Sequence, residues 1–260
     1  MDLRLKDKRV LITASTRGIG KGIAKVLLEE GCNVVISGRS MESVSRAVNE
    51  LKRYGRVYGF PADLTVKNDI KNLVEHTVKT LGGLEGLVYV TGPPKAGDFQ
   101  SLTVEDWEYA SKLLLLSAVW ITKYSLPYLL KSKGSIIYLS SIATREPEPG
   151  ITLSNVVRIS IAGLTKTLAH ELGPKGVRVN SILPGYIETE RIVEVTMKRA
   201  EIEGISPEDV MERIKQEIPL RRLGKPEEIG YLVAFLLSDK ASYINGVSIP
   251  IDGGLLKHVF

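Results

Sequence analysis

Residues 13–31 read "TASTRGIGKGIAKVLLEEG". The order of elements around its glycines decides the fold. A short apolar run, Val10–Thr13, comes first, and helical periodicity follows over residues 18–30. Gly18 and Gly20 fall at the turn between them. Without a Cβ there, backbone N–H groups can approach a pyrophosphate at the positive end of the helix. Such glycines also fit an ordinary tight turn. A strand before, an amphipathic helix after and a second strand about 20 residues on favour the phosphate loop.

The same alternation continues along the chain. Strand candidates are Val10–Thr13, Asn33–Ser37, Val57–Phe60, Gly86–Val90, Ser135–Leu139, Val177–Ile182 and Gly246–Pro250. Helical periodicity fills the intervals near 18–30, 41–53, 66–81, 103–131, 151–173 and 226–238. The strands are continuously apolar, as a parallel sheet covered on both faces requires. The expected fold is α/β, a single doubly wound Rossmann-type domain over residues 1–260. Residues 184–219 break the rhythm with a charged stretch. It predicts one or two amphipathic helices, the second opening at "SPED" with Ser206 as cap and Pro207 in the first turn. Its place after a strand's C-terminal end suits a substrate lid near 188–218.

Composition narrows the function classes. A chain of 260 residues, 43% hydrophobic, can bury a substantial core. The net charge of +5 is mild and the basic residues are interleaved with acidic ones, which argues against a nucleic-acid surface. Cys32 is the only cysteine, so no intrachain disulfide forms. The most apolar stretch, Leu113–Ile121, is too short for a bilayer, and "MDLRLKDKRV" has no apolar signal core. A cytoplasmic location without membrane contact is expected. His76, His170 and His258 read as surface residues, and no cluster has metal-ligand spacing.

The end of the second strand bears on the cofactor. It reads "VVISGRS" and lacks the carboxylate that bonds a ribose 2′-hydroxyl in many NAD sites. It offers Arg39 instead, and Arg17 sits in the glycine loop. A guanidinium pairs well with a 2′-phosphate. NADP(H) is therefore preferred, with NAD(H) as the alternative. Two exposed arginines at helix starts are the blander reading.

Several motifs together resemble the short-chain dehydrogenase/reductase family, close to its 3-oxoacyl carrier-protein reductase branch. They are "TASTRGIG", with Ala14 where a glycine is usual, "PADLT", "GSIIYLSS", "VRVNSILPGYIET" and the segment "PLRRLGKPEEIGYLVAFLLSDKASYINGVSIPIDGG". The resemblance implies a seven-stranded parallel sheet with helices on both faces. It also implies hydride transfer between a nicotinamide and a carbonyl or alcohol. Cofactor contacts would be Ser15, Arg17, Gly18, Ile19 and Gly20 in the loop, Arg39, and Asp63 and Leu64 at the adenine. Thr91 and Gly92 would follow, with Arg158, and Pro184, Gly185, Ile187 and Thr189 beside the nicotinamide. The family's usual assembly implies a homotetramer or homodimer through the helices near 103–131 and 151–173.

The chemistry departs from the family's pattern. The family's catalytic serine falls on Ser141, but its tyrosine position holds Ser154, its lysine position Arg158 and its asparagine position Leu114. The usual Asn-Asn-Ala-Gly is "YVTG", Tyr89–Gly92. This resembles a side branch reading Ser-Asn-x-x-Arg in place of Tyr-x-x-x-Lys. Val157, Ile161, Leu164, Leu168 and Leu172 are expected to form the core stripe of that helix, with Ser154 and Arg158 on another face. Arg158 can donate to ribose hydroxyls but cannot exchange a proton. Ser154 is a weak acid that either assists catalysis or makes room. The proton comes from water held by Ser141 and Ser154, or from another side chain. Tyr186 is one candidate and equally a substrate wall, whereas Tyr138 should point away from Ser141. Lys95, Arg145 and Arg191 either form a basic rim for an acidic carbonyl compound or lie on solvated loops. The sequence thus predicts an NADP(H)-dependent oxidoreductase acting on a small carbonyl or alcohol by an atypical proton path. The alternative is a catalytically impaired NADP(H)-binding protein acting as a sensor or assembly partner.

Overall fold

The computed structural model describes residues 2–258, apart from the side chains of Lys198 and Ile202. The chain runs β1 (Arg9–Ile12), α1 (Gly18–Glu29), β2 (Asn33–Gly38), α2 (Met41–Leu51), β3 (Val57–Pro61), α3 (Lys67–Leu81) and β4 (Gly86–Tyr89). It continues through α4 (Val104–Ser111), α5 (Ser117–Ser132), β5 (Ser135–Leu139), α6 (Thr152–Leu172) and β6 (Arg178–Pro184). Then come α7 (Glu190–Glu203), α8 (Pro207–Glu217), α9 (Pro226–Leu237) and β7 (Ser248–Ile251). The strands form one seven-stranded sheet in the order β3-β2-β1-β4-β5-β6-β7, and every pairing is parallel. The order reverses between β1 and β4, which opens a crevice at the strands' C-terminal ends.

The pleat sorts side chains into two cores. Val10 and Ile12 of β1 join Leu27 of α1 and Val233 of α9 on one face. Leu11 joins Ile70 of α3, Ile121 of α5 and Ile161 of α6 on the other. This two-sided burial explains why the strands are apolar without alternation. Tyr138 lies in the second core, its hydroxyl 2.6 Å from Thr122 Oγ1, and so turns away from the face that holds Leu139.

Local chemistry sets several helix ends. Ser40 caps α2 by accepting from the Ser43 N–H, Thr103 and Asp106 form a capping box on α4, and Ser206 caps α8 ahead of Pro207. Each satisfies N–H groups that the first turn leaves free.

The helix expected at 103–131 is present but not uniform. Between α4 and α5 the residues Lys112–Leu116 form a π turn, and the Ser117 N–H bonds the Lys112 carbonyl. The displaced carbonyls find other partners. Tyr89 Oη donates to Leu113 O at 2.9 Å and lies 2.6 Å from Ser117 Oγ, which itself reaches Leu113 O at 2.6 Å. Tyr89 is fully buried, so Tyr89→Phe should destabilise the fold by about 1–3 kcal/mol. Urea unfolding with an unchanged m-value would measure it, and a loss near zero would show the π turn to be self-sufficient.

Leu113–Ile121 understates this helical run. Val104–Ser132 is long and apolar enough to cross a membrane by length and composition, with a mean hydropathy of 1.4 in its best window. In the fold, Ala118, Ile121 and Leu129 pack into the second core instead.

The stripe expected on α6 is also corrected. The buried positions are Leu153, Ser154, Val157, Arg158, Ile161, Thr165, Ala169 and Leu172. Leu164 and Leu168 lie at its edge. Ser154 and Arg158 therefore do not occupy a separate face. They are the cleft end of the same buried stripe, because the sheet covers the helix and the crevice opens at its N-terminal turns.

Candidate active site

The crevice contains a cleft of about 1340 Å³. Its walls run from Arg39 and Arg46 past the glycine loop to Ser141, Ser154 and Arg158. The loop is tightly built. Thr13 Oγ1 donates to Val90 O at 2.6 Å and accepts from the Val90 N–H at 2.8 Å, tying β1 to β4. A Cβ on Gly20 would lie 2.7 Å from Ala14 O and from Ser15 Cα, so only glycine lets the loop close. Gly18 has φ +52° and Ala14 φ +43°. Ala14 therefore holds, under some strain, a left-handed conformation that glycine adopts freely. No side chain caps α1, and its first turn carries no acidic residue. Its N–H groups and positive end are left for a phosphate.

The expected residues divide. Arg17, Gly18, Ile19, Gly20, Arg39, Asp63, Leu64, Thr91, Gly92, Arg158, Pro184, Gly185, Ile187 and Thr189 all line the cleft. Ser15 does not. It is fully buried, donates to Ile12 O at 2.7 Å and accepts from the Ser37 N–H at 3.2 Å. Its hydroxyl is used up in holding the loop on β2. The Asp63 carboxylate accepts from the Thr65 N–H and hydroxyl at 2.8 and 2.7 Å, which fixes its turn.

At the other end of the cleft, Arg158 is nine-tenths buried. Its Nε donates to Ser154 Oγ at 3.0 Å, and one Nη lies 3.3 Å from Thr91 Oγ1 and 3.4 Å from Gly92 O. Among the described residues no carboxylate pairs with it. Burial pulls the guanidinium below its ordinary pKa, yet it stays a cation. Ser141 Oγ accepts from the Ala143 N–H at 3.1 Å, which leaves its own hydrogen to donate. Leu114, expected at the family's asparagine position, is buried in the π turn.

Of the three residues of the expected basic rim, Arg191 lines the cleft and Lys95 and Arg145 do not. Lys95 pairs with Asp106 at 2.6 Å and Arg191 with Glu194 at 3.3 Å. Arg145 bonds His258 and the Ser248 carbonyl. Neighbouring groups, invisible to composition, engage Lys95 and Arg145 elsewhere, whereas the exposed Arg191–Glu194 pair is weak. His258 is likewise half-buried against Glu146, and His76 stacks on Phe60 at 4.6 Å.

Several wall residues escaped the sequence reading: Thr16, Ser40, Ser43, Arg46, Tyr109 and Leu113. Arg46 was recoverable, since it lies one helical turn beyond Ser43, itself three residues past the α2 cap.

A doubly wound sheet with a phosphate loop at its switch point and polar groups at the far end of the same cleft defines a dinucleotide-binding protein. The chain belongs to the short-chain dehydrogenase/reductase family. The family model described as enoyl-(acyl carrier protein) reductase matches residues 13–256. A 3-oxoacyl-[acyl-carrier-protein] reductase from Aquifex aeolicus is 33% identical, with 98% of this chain and 100% of the relative covered. Human dehydrogenase/reductase SDR family member 4 is 36% identical over 96% of this chain and 88% of the relative. Among solved structures, L-sorbose reductase from Gluconobacter frateurii, complexed with NADPH and L-sorbose, superposes with a TM-score of 0.95 at 28% identity over the full length of both chains.

Proposed function

We propose that this chain is an NADP(H)-dependent oxidoreductase that interconverts a small carbonyl compound and its alcohol. One observation carries the reading: a single cleft joins the uncapped start of α1 to the buried Arg158–Ser154 pair. The residues fit a dinucleotide. The α1 N-terminus and Gly18 would take the pyrophosphate, and Asp63 and Leu64 the adenine. Arg158, Thr91 and Thr189 would hold the nicotinamide half. When bound, the nicotinamide supplies or accepts hydride.

Preference for the 2′-phosphate rests on Arg17, Arg39 and Arg46; the end of β2 carries no carboxylate, and Glu50 on the same wall is paired with Lys21. Arg17 is paired with Glu190 at 3.1 Å, but both side chains are about two-thirds exposed. Such a pair is weak enough to exchange for phosphate. Arg39→Asp should weaken NADPH about 10–100-fold and NADH much less, from the loss of charge-assisted hydrogen bonds. Fluorescence titration with both nucleotides tests it, and parallel losses would refute the assignment.

The chain's own groups would act on the substrate oxygen. Ser141 donates to it, Ser154 is oriented by Arg158 Nε, and the guanidinium stabilises negative charge there in a low-dielectric cleft. The segment α7–α8, which has its own small core around Ile192, Val210 and Ile214, would serve as the lid. Apolar residues left exposed on α4–α6, among them Val104, Leu116, Val156 and Ile159, support a homodimer or homotetramer. NADPH titration followed by a panel of ketones, aldehydes and alcohols tests the activity. Tight NADPH binding without turnover across the panel would favour the non-catalytic sensor instead.

A further inference from the structure

The proposed reaction lacks the family's phenolic proton donor on α6, and a phenol stands elsewhere on the cleft wall. Tyr186, in the turn after β6, lines the cleft. Its hydroxyl donates to Glu148 Oε2 at 3.2 Å. Glu148 lies on the loop between β5 and α6, with its side chain only 25% exposed. That loop is held from α6 by Asn155, the residue after Ser154. Asn155 Nδ2 donates to Glu148 O at 2.7 Å, and its Oδ1 accepts from the Glu148 N–H at 3.3 Å. The asparagine of Ser-Asn-x-x-Arg thus fixes the backbone of the residue that holds the Tyr186 hydroxyl.

We propose that Tyr186 is the catalytic proton donor and that Glu148, pinned by Asn155, is the positioning residue that frees and refills it. This rests on the oxidoreductase reading. In reduction, charge builds on the substrate oxygen as its C=O electron pair moves there. The Tyr186 O–H bond breaks and the proton passes to that oxygen. The phenolate takes the proton of a neutral Glu148 carboxyl, and solvent reprotonates the carboxylate. Oxidation reverses each transfer. While Glu148 is ionised it holds the tyrosine hydrogen away from substrate.

The groups facing Glu148 are Tyr186, Arg199 of α7 at 3.9 Å and, more distantly, Glu217 of α8. Burial outweighs the tyrosine and the arginine and raises the Glu148 carboxyl above its ordinary range. Burial and the neighbouring carboxylate likewise raise Tyr186. An alkoxide remains a stronger base than the phenolate, so the transfer runs downhill. Reduction is therefore fastest while Glu148 is neutral and declines as pH rises through its raised pKa.

The test has two arms. In the nucleotide-free protein, carboxyl-carbon NMR should show one glutamate titrating above the usual range. That signal should vanish in Glu148→Gln and move further up in Tyr186→Phe, because the tyrosine hydrogen bond favours the ionised form. With NADPH and an accepted ketone, Tyr186→Phe should lose about 10²–10⁴ in kcat at unchanged NADPH Kd, and Glu148→Gln should lose the decline with pH. A normally titrating Glu148 overturns the proposal, as does Tyr186→Phe with parental kcat. An unchanged pH profile in Glu148→Gln does the same. A parent inactive on the whole panel instead brings down the oxidoreductase reading, and this proposal with it.

Discussion

Arg158→Met should give a protein that is more stable and nearly inactive. The guanidinium is nine-tenths buried and faces no carboxylate among the described residues. A buried cation without a counter-ion is a net cost to folding. Methionine fills similar space without charge, so unfolding free energy should rise by about 1–3 kcal/mol. The same change removes the cation that the proposed function places beside the substrate oxygen, and the donor that orients Ser154 at 3.0 Å. Removing one such preorganised group typically costs about 10²–10³ in rate. Ribose hydroxyls are neutral, so NADPH affinity should fall by no more than about tenfold. Thermal unfolding, NADPH titration and kcat/KM on one panel of variants separate these effects. If Arg158→Met kept kcat/KM within threefold of the parent, electrostatic catalysis by this residue would be excluded.

Leu11→Ala should produce the opposite pattern. Leu11 lies in the middle of β1, fully buried between α3 and the helices beyond. Truncation removes buried methyl groups and leaves a cavity that a central parallel strand cannot collapse into, at a cost of about 2–5 kcal/mol. For a chain of this length the melting temperature should drop by about 4–10 °C. Leu11 faces away from the core that contains Val10 and Ile12 and does not line the cleft, so NADPH affinity measured well below the transition should stay at the parental value. A small thermal shift would mean that the sheet's second face is packed more loosely than its burial implies.

The legible part of the molecule was whatever depends on neighbours in sequence. Strand and helix positions followed from apolar runs and periodicity. The turn from β1 into α1 followed from Gly18 and Gly20 between a strand and a helix, and the α8 start followed from Ser206 and Pro207. Ser15 shows where this stopped. Its residue type and position suited a ligand contact, but strand pairing buried it against Ile12 and Ser37. Lys95, Arg145 and Arg191 show the same limit for charge. Each has a partner that only local folding or a distant segment supplies, such as Ser248 for Arg145.

By itself, then, the sequence determined the doubly wound sheet and the glycine turn between its first strand and helix, and it raised the expectation that Ser154 and Arg158 stand where the family has Tyr and Lys. Local propensity and apolar patterning are written residue by residue, and so are motif identities. Only the tertiary structure decided that Ser154 and Arg158 share the buried stripe of α6, since that depends on where the crevice opens along the helix. It alone joined Tyr186, Glu148 and Asn155, which stand on a turn, a loop and a helix up to 38 residues apart. Hydrogen bonds between such segments depend on how β5, β6 and α6 pack together, and no spacing within any one of them encodes that contact.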